Sequence, residues 1–254
     1  MVYGMGGCRN NKEDVYQAAW DNGIRVFDSG YGYSGILVND RFLYQFLKDK
    51  KDYKIINKLP LFKSCYSVDI YTCSDEELEK QIRFVLNMQL SASGQDHFFA
   101  YLYHAIFDMQ WSKGYSIRKD LELYKRIQPI LEKLKKEGLF EHIGFSAHCS
   151  LSKLKLFVET MRKINADMDI AMISYNPLNK DGLEKTKNGV WAAPGYKGLK
   201  YLKDNGFYIV DMRPTEEGQC NTKEAFELIR KEPLIDMTLI GTSKVEHLLE
   251  DIGE

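Results

Sequence analysis

Four polar residues close successive short apolar runs: Asp28, Lys58, His104 and Ser146. A carboxylate, an ammonium group, an imidazole and a hydroxyl converging on one cleft can move a proton and stabilise charge that develops on a reacting oxygen. Each has a plainer reading alone. An aspartate there is usually a turn former or helix cap, Lys58 is a surface lysine before Pro60, and His104 is a satisfied core histidine. Their recurrence on consecutive runs carries the argument, because barrel enzymes collect their chemistry at the C-terminal ends of strands.

The elements that would position these residues alternate along the chain. Strand-like runs fall at 2–6, 24–28, 54–58, 98–104, 142–146, 170–175, 208–212 and 237–241, with amphipathic helical stretches between them. Ser74-Asp75-Glu76-Glu77 predicts a capping box at the start of a helix over 74–90. Further helices are expected over 11–22, 36–48, 117–137, 151–164, 194–205, 222–231 and 243–252, several stopped by a glycine. Eight βα units fit a closed (β/α)8 TIM barrel of the α/β class and equally an open doubly wound sheet. No linker or repeat divides the sequence, so one domain over residues 1–254 is expected. Gly4-Met5-Gly6-Gly7-Cys8-Arg9 fails as a dinucleotide fingerprint, because Arg9 stands where the third glycine belongs.

Composition removes other classes. A net charge of -1 gives no basic face for nucleic acid. No apolar run approaches the roughly 18 residues of a membrane span, and the N-terminus lacks the pattern of a secretory signal. Cys8, Cys65, Cys73, Cys149 and Cys220 match no metal-ligand spacing, so no metal is expected. A disulfide framework is not expected either, and a cytoplasmic location is the default. Cys149 beside His148 suggests a thiol nucleophile only weakly; two loop neighbours are the simpler reading.

The run from Gly23 to Gly35, with Asp28 and Tyr33 five residues apart, resembles the signature of the aldo-keto reductase superfamily. Lys58-Leu59-Pro60, Tyr101-Leu102-Tyr103-His104, the run from Glu137 to Ser146, Ser174-Tyr175-Asn176-Pro177-Leu178 and the run from Gly241 to Leu248 are similar to further segments of that family, in order. The resemblance implies a barrel that transfers a hydride from a nicotinamide cofactor to a small-molecule carbonyl, an aldehyde or ketone. The implied catalytic group is Asp28, Tyr33, Lys58 and His104, with Tyr33 as proton donor and Tyr31 as its rival. A lysine ammonium about 4 Å from a phenol is worth about 4 kcal/mol at an effective dielectric near 20. That could lower the phenol's pKa by up to roughly 3 units.

For the cofactor, the resemblance implies Ser146, Met172, Met212, Gly241, Thr242, Ser243, Lys244 and His247, with NADP expected and NAD left open. Ser243-Lys244-Val245-Glu246 reads as a capping box that would leave Thr242 and Ser243 at free amides for a phosphate. Four positions depart from the family. Ala147 replaces a frequent asparagine, Met172 the carboxamide-binding glutamine, and Met212 the aromatic that stacks on nicotinamide, while Gly241 and His247 stand where NADP-specific members carry a lysine and an arginine. Lys244 is the compensating cation.

The pattern Gly144-Phe145-Ser146-x-His148, with Met212-Arg213-Pro214, is most similar to a bacterial branch often fused to a C-terminal iron–sulfur domain. This sequence stops at Glu254 without that domain's cysteines, so it is expected either to lack the domain or to belong to a longer form with that domain or a redox partner. Two other readings stay in view. One is a non-catalytic barrel that binds nucleotide as a sensor or partner subunit; the other is a lyase or isomerase using Lys58 as a Schiff-base amine.

Overall fold

The alternating pattern closes into a ring. The computed structural model describes residues 2–7, 12–30, 38–61, 65–107, 116–182, 192–216 and 218–253. Within them, parallel strands β1 (Val2–Met5), β2 (Val26–Asp28), β3 (Lys54–Leu59), β4 (Phe98–Ile106), β5 (Phe140–Ala147), β6 (Ile170–Ile173), β7 (Tyr208–Asp211) and β8 (Met237–Ile240) pair in chain order. The ring is sealed by β1 against β8, with Val2 opposite Met237 and Met5 opposite Ile240. That closure decides for the barrel against the open sheet.

Helices α1 (Glu13–Asp21), α2 (Val38–Leu47), α3 (Asp75–Ser93), α4 (Ile117–Lys136), α5 (Leu151–Lys163), α6 (Gly195–Asp204), α7 (Thr222–Ile229) and α8 (Val245–Ile252) follow the strands one by one. Among the described residues, no helix is long and apolar enough to cross a membrane.

Because side chains alternate across a strand, each strand serves two cores. Inside the barrel, Val26, Ile56, Ala100, Leu102, Ile170, Met172, Val210, Met237 and Leu239 pack together. The opposite parity, including Phe27, Ile55, Tyr101, Phe145 and Ile209, packs under the helices. Fully burying one such large apolar side chain contributes about 1.5–3 kcal/mol.

The glycine run that failed as a nucleotide motif has a packing role. A Cβ on Gly7 would lie 2.2 Å from the carbonyl oxygen of Asp28, so only glycine lets the β1 exit press against the end of β2.

The helix starts repay comparison with the sequence. Ser74 caps α3 by accepting from the Glu77 amide at 3.2 Å, as expected. The reciprocal half of that box differs, since Glu77 accepts from Gln81 instead. At the last helix the expected box does not form. α8 starts at Val245 with Lys244 as its uncapped N-cap residue, which leaves Ser243 one position too early. Thr242 makes the local turn in its place, its hydroxyl accepting from the Lys244 amide at 3.2 Å.

Candidate active site

Inward parity continues past the apolar layer to the C-terminal rim. Above Val26 comes Asp28, above Ile56 comes Lys58, and above Ala100 and Leu102 comes His104. Lys58 is fully buried at 0% exposure, and its ammonium donates to the Asp28 carboxylate and to the Ser29 carbonyl at 2.8 Å. An ammonium placed there without a partner would be prohibitively costly; contact with a carboxylate makes it tenable. An amine engaged in this way is set up as a donor, which counts against the Schiff-base reading.

His104 depends on a bulge. Between Tyr103 opposite Phe145 and Ile106 opposite Ala147, β4 carries one residue more than β5. The strand therefore runs to Ile106, not ending at His104 as the sequence suggested. Ala105 takes up the extra length with φ 51°. The Ser146 hydroxyl steadies the bulge, accepting from the Ala105 amide at 2.8 Å and donating to the Tyr103 carbonyl at 3.4 Å. Bulges re-aim side chains in this manner. Burial, together with the charge of Lys58, lowers the His104 pKa to about 3, so its imidazole is neutral at physiological pH.

A second polar shell lies behind the pair. Gln89 of α3 donates to the Lys58 carbonyl at 3.0 Å and to the Asn57 side chain at 3.2 Å, and accepts from the Tyr101 hydroxyl at 2.7 Å. Asn57 donates to the Tyr44 hydroxyl at 3.2 Å, which shares a 2.8 Å hydrogen bond with Ser29. This network fixes the backbone on both sides of Lys58. Sequence reasoning missed it. The available signal was a glutamine on the apolar stripe of α3, beside Val85, Leu86 and Leu90.

His148, the neighbour of Cys149 and the last residue of the Gly144–His148 pattern, also belongs to the mouth. Its Nδ1 is 2.7 Å from the Ser174 hydroxyl. Burial first, then the charges of Arg213, His104 and Lys58, hold its pKa well below the usual histidine value. Cys149 is buried, and burial pushes its thiol up to about 12, so the thiolate reading loses its nucleophile.

The remaining expected residues divide by position. Met172 is completely buried in the barrel core, and Met212 is half-buried at the end of β7. Gly241, Ser243, Lys244 and His247 are exposed beyond β8, with Thr242 half-buried among them. Among the described residues, nothing lies within 4 Å of where a Cβ on Gly241 would sit. Tyr33 and its rival Tyr31 lie outside the described residues, as does Cys8.

Known proteins point the same way. The profile of the Aldo/keto reductase family matches residues 6–251. No curated protein sequence matches the chain. Among solved structures, a Pseudomonas aeruginosa protein provisionally named an aldo-keto reductase superposes with a TM-score of 0.67 at 20% identity, covering 98% of this chain and 88% of its own. MGS-M4, an aldo-keto reductase from a Medee basin deep-sea metagenome library, gives 0.65 at 17% identity, covering 100% and 85%. An aspartate-to-alanine variant of Gox0644 in complex with NADPH gives 0.66 at 14%, covering 98% and 82%. At such identities the likeness speaks for the fold, whereas the profile match spans nearly the whole sequence. The chain belongs to the aldo/keto reductase family and is an NAD(P)H-dependent oxidoreductase.

Proposed function

We propose that this chain reduces an aldehyde or ketone with NADPH, using Asp28, Lys58, His104 and Tyr33 as its catalytic group. The observation that carries the reading is the buried Asp28–Lys58 contact at the rim, with a neutral imidazole on the next strand. Nicotinamide, when bound, supplies the hydride. The residues must then meet an oxygen that gains negative charge. Tyr33 delivers the proton, and the Lys58 ammonium stabilises the developing charge. Asp28 keeps that ammonium fixed. His104, being neutral, orients the carbonyl by hydrogen bonding and does not compete as an acid.

The residues also suit a dinucleotide. Space beside Gly241 that is free among the described residues, the exposed cation Lys244 and the uncapped first turn of α8 offer room, charge and amide donors for phosphate. Met212 offers an apolar surface for a planar ring, and Ser146, Thr242, Ser243 and His247 complete the expected contacts. NADPH bound to Gox0644 supports the phosphorylated cofactor.

The test follows oxidation of NADPH and of NADH with a panel of aldehydes, ketones and quinones, alongside fluorescence titration of each nucleotide. Tyr33→Phe should abolish turnover and leave nucleotide affinity largely intact. Full activity in that variant would remove Tyr33 as the acid; tight nucleotide binding without reduction of any carbonyl would favour a sensor instead.

A further inference from the structure

His104 is followed by two non-glycine residues with left-handed backbone, Ala105 at φ 51° and Phe107 at φ 60°. Such backbone is costly for a side chain as bulky as phenylalanine and persists only where the surroundings hold it. The Ser146 hydroxyl holds Ala105 from β5. Phe107 is held from α4, its amide donating to the Tyr124 hydroxyl at 3.1 Å. Tyr124 also grips the residue before His104. The Tyr103 hydroxyl donates to the Tyr124 carbonyl at 3.3 Å, and the two rings meet edge to face at 5.6 Å. The Phe107 ring lies 5.8 Å from that of Tyr124. One buried residue of α4 thus fastens β4 on both sides of His104.

Tyr124 is oriented in turn by a carboxylate. Asp120, buried one helical turn earlier, has one oxygen 3.5 Å from the Tyr124 hydroxyl, and its other oxygen accepts from the Tyr71 hydroxyl at 2.8 Å. A phenol that accepts from an amide and donates to a carboxylate has both of its directions fixed. Tyr71 lies in the segment that follows β3, the strand of Lys58. Arg126 binds that segment to α4 by donating to the carbonyls of Ile70, Tyr71 and Cys73. The exits of β3 and β4 therefore share one anchor on α4.

We infer that Tyr124, oriented by Asp120, is a positioning residue for His104: it fixes the left-handed exit of β4 from the helix side, as Ser146 does from β5, and so sets where the imidazole meets the carbonyl. The inference rests on the proposed function, which gives His104 its role. Tyr124 packs among the residues between the strands and the helices, so it acts through the β4 backbone and not on the substrate.

The experiment is a double-mutant cycle in kcat for carbonyl reduction, built from Tyr124→Phe, His104→Gln and the double variant. Tyr124→Phe keeps the ring and removes the hydroxyl alone. It should lower kcat about tenfold, the scale of one lost hydrogen bond, and leave NADPH affinity in fluorescence titration unchanged. In the His104→Gln background the same change should cost less than about twofold, because the group it positions is gone. The His104 imidazole signals in 15N NMR should also move in Tyr124→Phe, a readout that needs no turnover. Unchanged kcat in Tyr124→Phe overturns the inference. An equal fold-loss in both backgrounds also overturns it, by showing a general structural role. If His104→Gln has no measurable kcat, the NMR signals decide, and unmoved signals overturn it. A wild-type protein that reduces no carbonyl would instead defeat the functional reading beneath it.

Discussion

Replacing Asp28 by asparagine isolates what the buried charge pair contributes. Lys58 is 0% and Asp28 3% exposed, so the ammonium has almost no water to fall back on. At hydrogen-bonding separation and an effective dielectric near 20, the attraction is roughly 6 kcal/mol before desolvation is subtracted. After Asp28→Asn the Ser29 carbonyl still accepts at 2.8 Å, but the charge is uncompensated. Breaking such a pair from one side costs about 3–5 kcal/mol. For a chain of this length that corresponds to a fall of roughly 6–20 °C in Tm. Lys58→Met should cost a similar amount by stranding the carboxylate. The double variant removes both charges together, so its loss should be smaller than the sum of the single losses by about 2 kcal/mol or more. Urea unfolding of the four proteins, followed by circular dichroism, measures each term. If Asp28→Asn stays within about 1 kcal/mol of wild type, or if the two losses simply add, the pair is not the buried ion pair described above.

Two further perturbations read other parts of the fold. Burial raises the Asp211 carboxyl to about 8, although its Oδ1 accepts from the amides of Arg213 and Tyr175. The folded chain therefore keeps a proton that the unfolded chain releases near pH 4. Stability from this group is full below that point and declines as pH rises towards 8, at up to about 1.4 kcal/mol per unit. Asp211→Asn keeps the acceptor and should flatten that decline, measured as unfolding free energy between pH 5 and 8; an equally steep decline in the variant would refute the assignment. Ser146→Ala leaves the buried Ala105 amide without its acceptor, so it should cost about 1–3 kcal/mol and lower kcat by disturbing His104. A variant with wild-type stability and kcat would show that the bulge holds without this hydroxyl.

The barrel was legible because each strand carries its own inward-facing set, and hydrophobic alternation survives in sequence. Closure was not legible from periodicity alone. It depends on β1 meeting β8, a pairing of residues at opposite ends of the chain that the family resemblance had to supply. The rim placement of Asp28, Lys58 and His104 was readable because polar residues interrupt an apolar parity where a strand exits. The bulge that aims His104 was hidden, since one extra residue in β4 leaves no mark in composition. Gln89 and Asn57 were missed for a related reason: their partners lie 12–32 residues away along the chain, and only the folded packing of α3 on β3 and β4 shows that each is satisfied. At α8 the motif Ser243-Lys244-Val245-Glu246 was present, yet the helix began one residue later than the motif required, and a Thr242 turn took over the local amide.

Under the proposed mechanism, the arrangement of charge at the rim also sets how Tyr33 would act as an acid there. An isolated ammonium about 4 Å from a phenol acts with about 4 kcal/mol at an effective dielectric near 20. Here the ammonium touches Asp28, and a compensating negative charge roughly 6–7 Å from such a phenol would cut that pull to about 1.6 kcal/mol. His104 adds no positive charge of its own, since its imidazole is neutral. What remains is directional: a fixed ammonium donor, a fixed imidazole and a water-poor setting, held by Gln89, Asn57 and the Ser146-braced bulge. Groups aimed in advance at a developing oxyanion act in the transition state without reorganising. On the proposed mechanism, Gln89, Asn57 and Ser146 would therefore act on rate through geometry, because they set where the donors point.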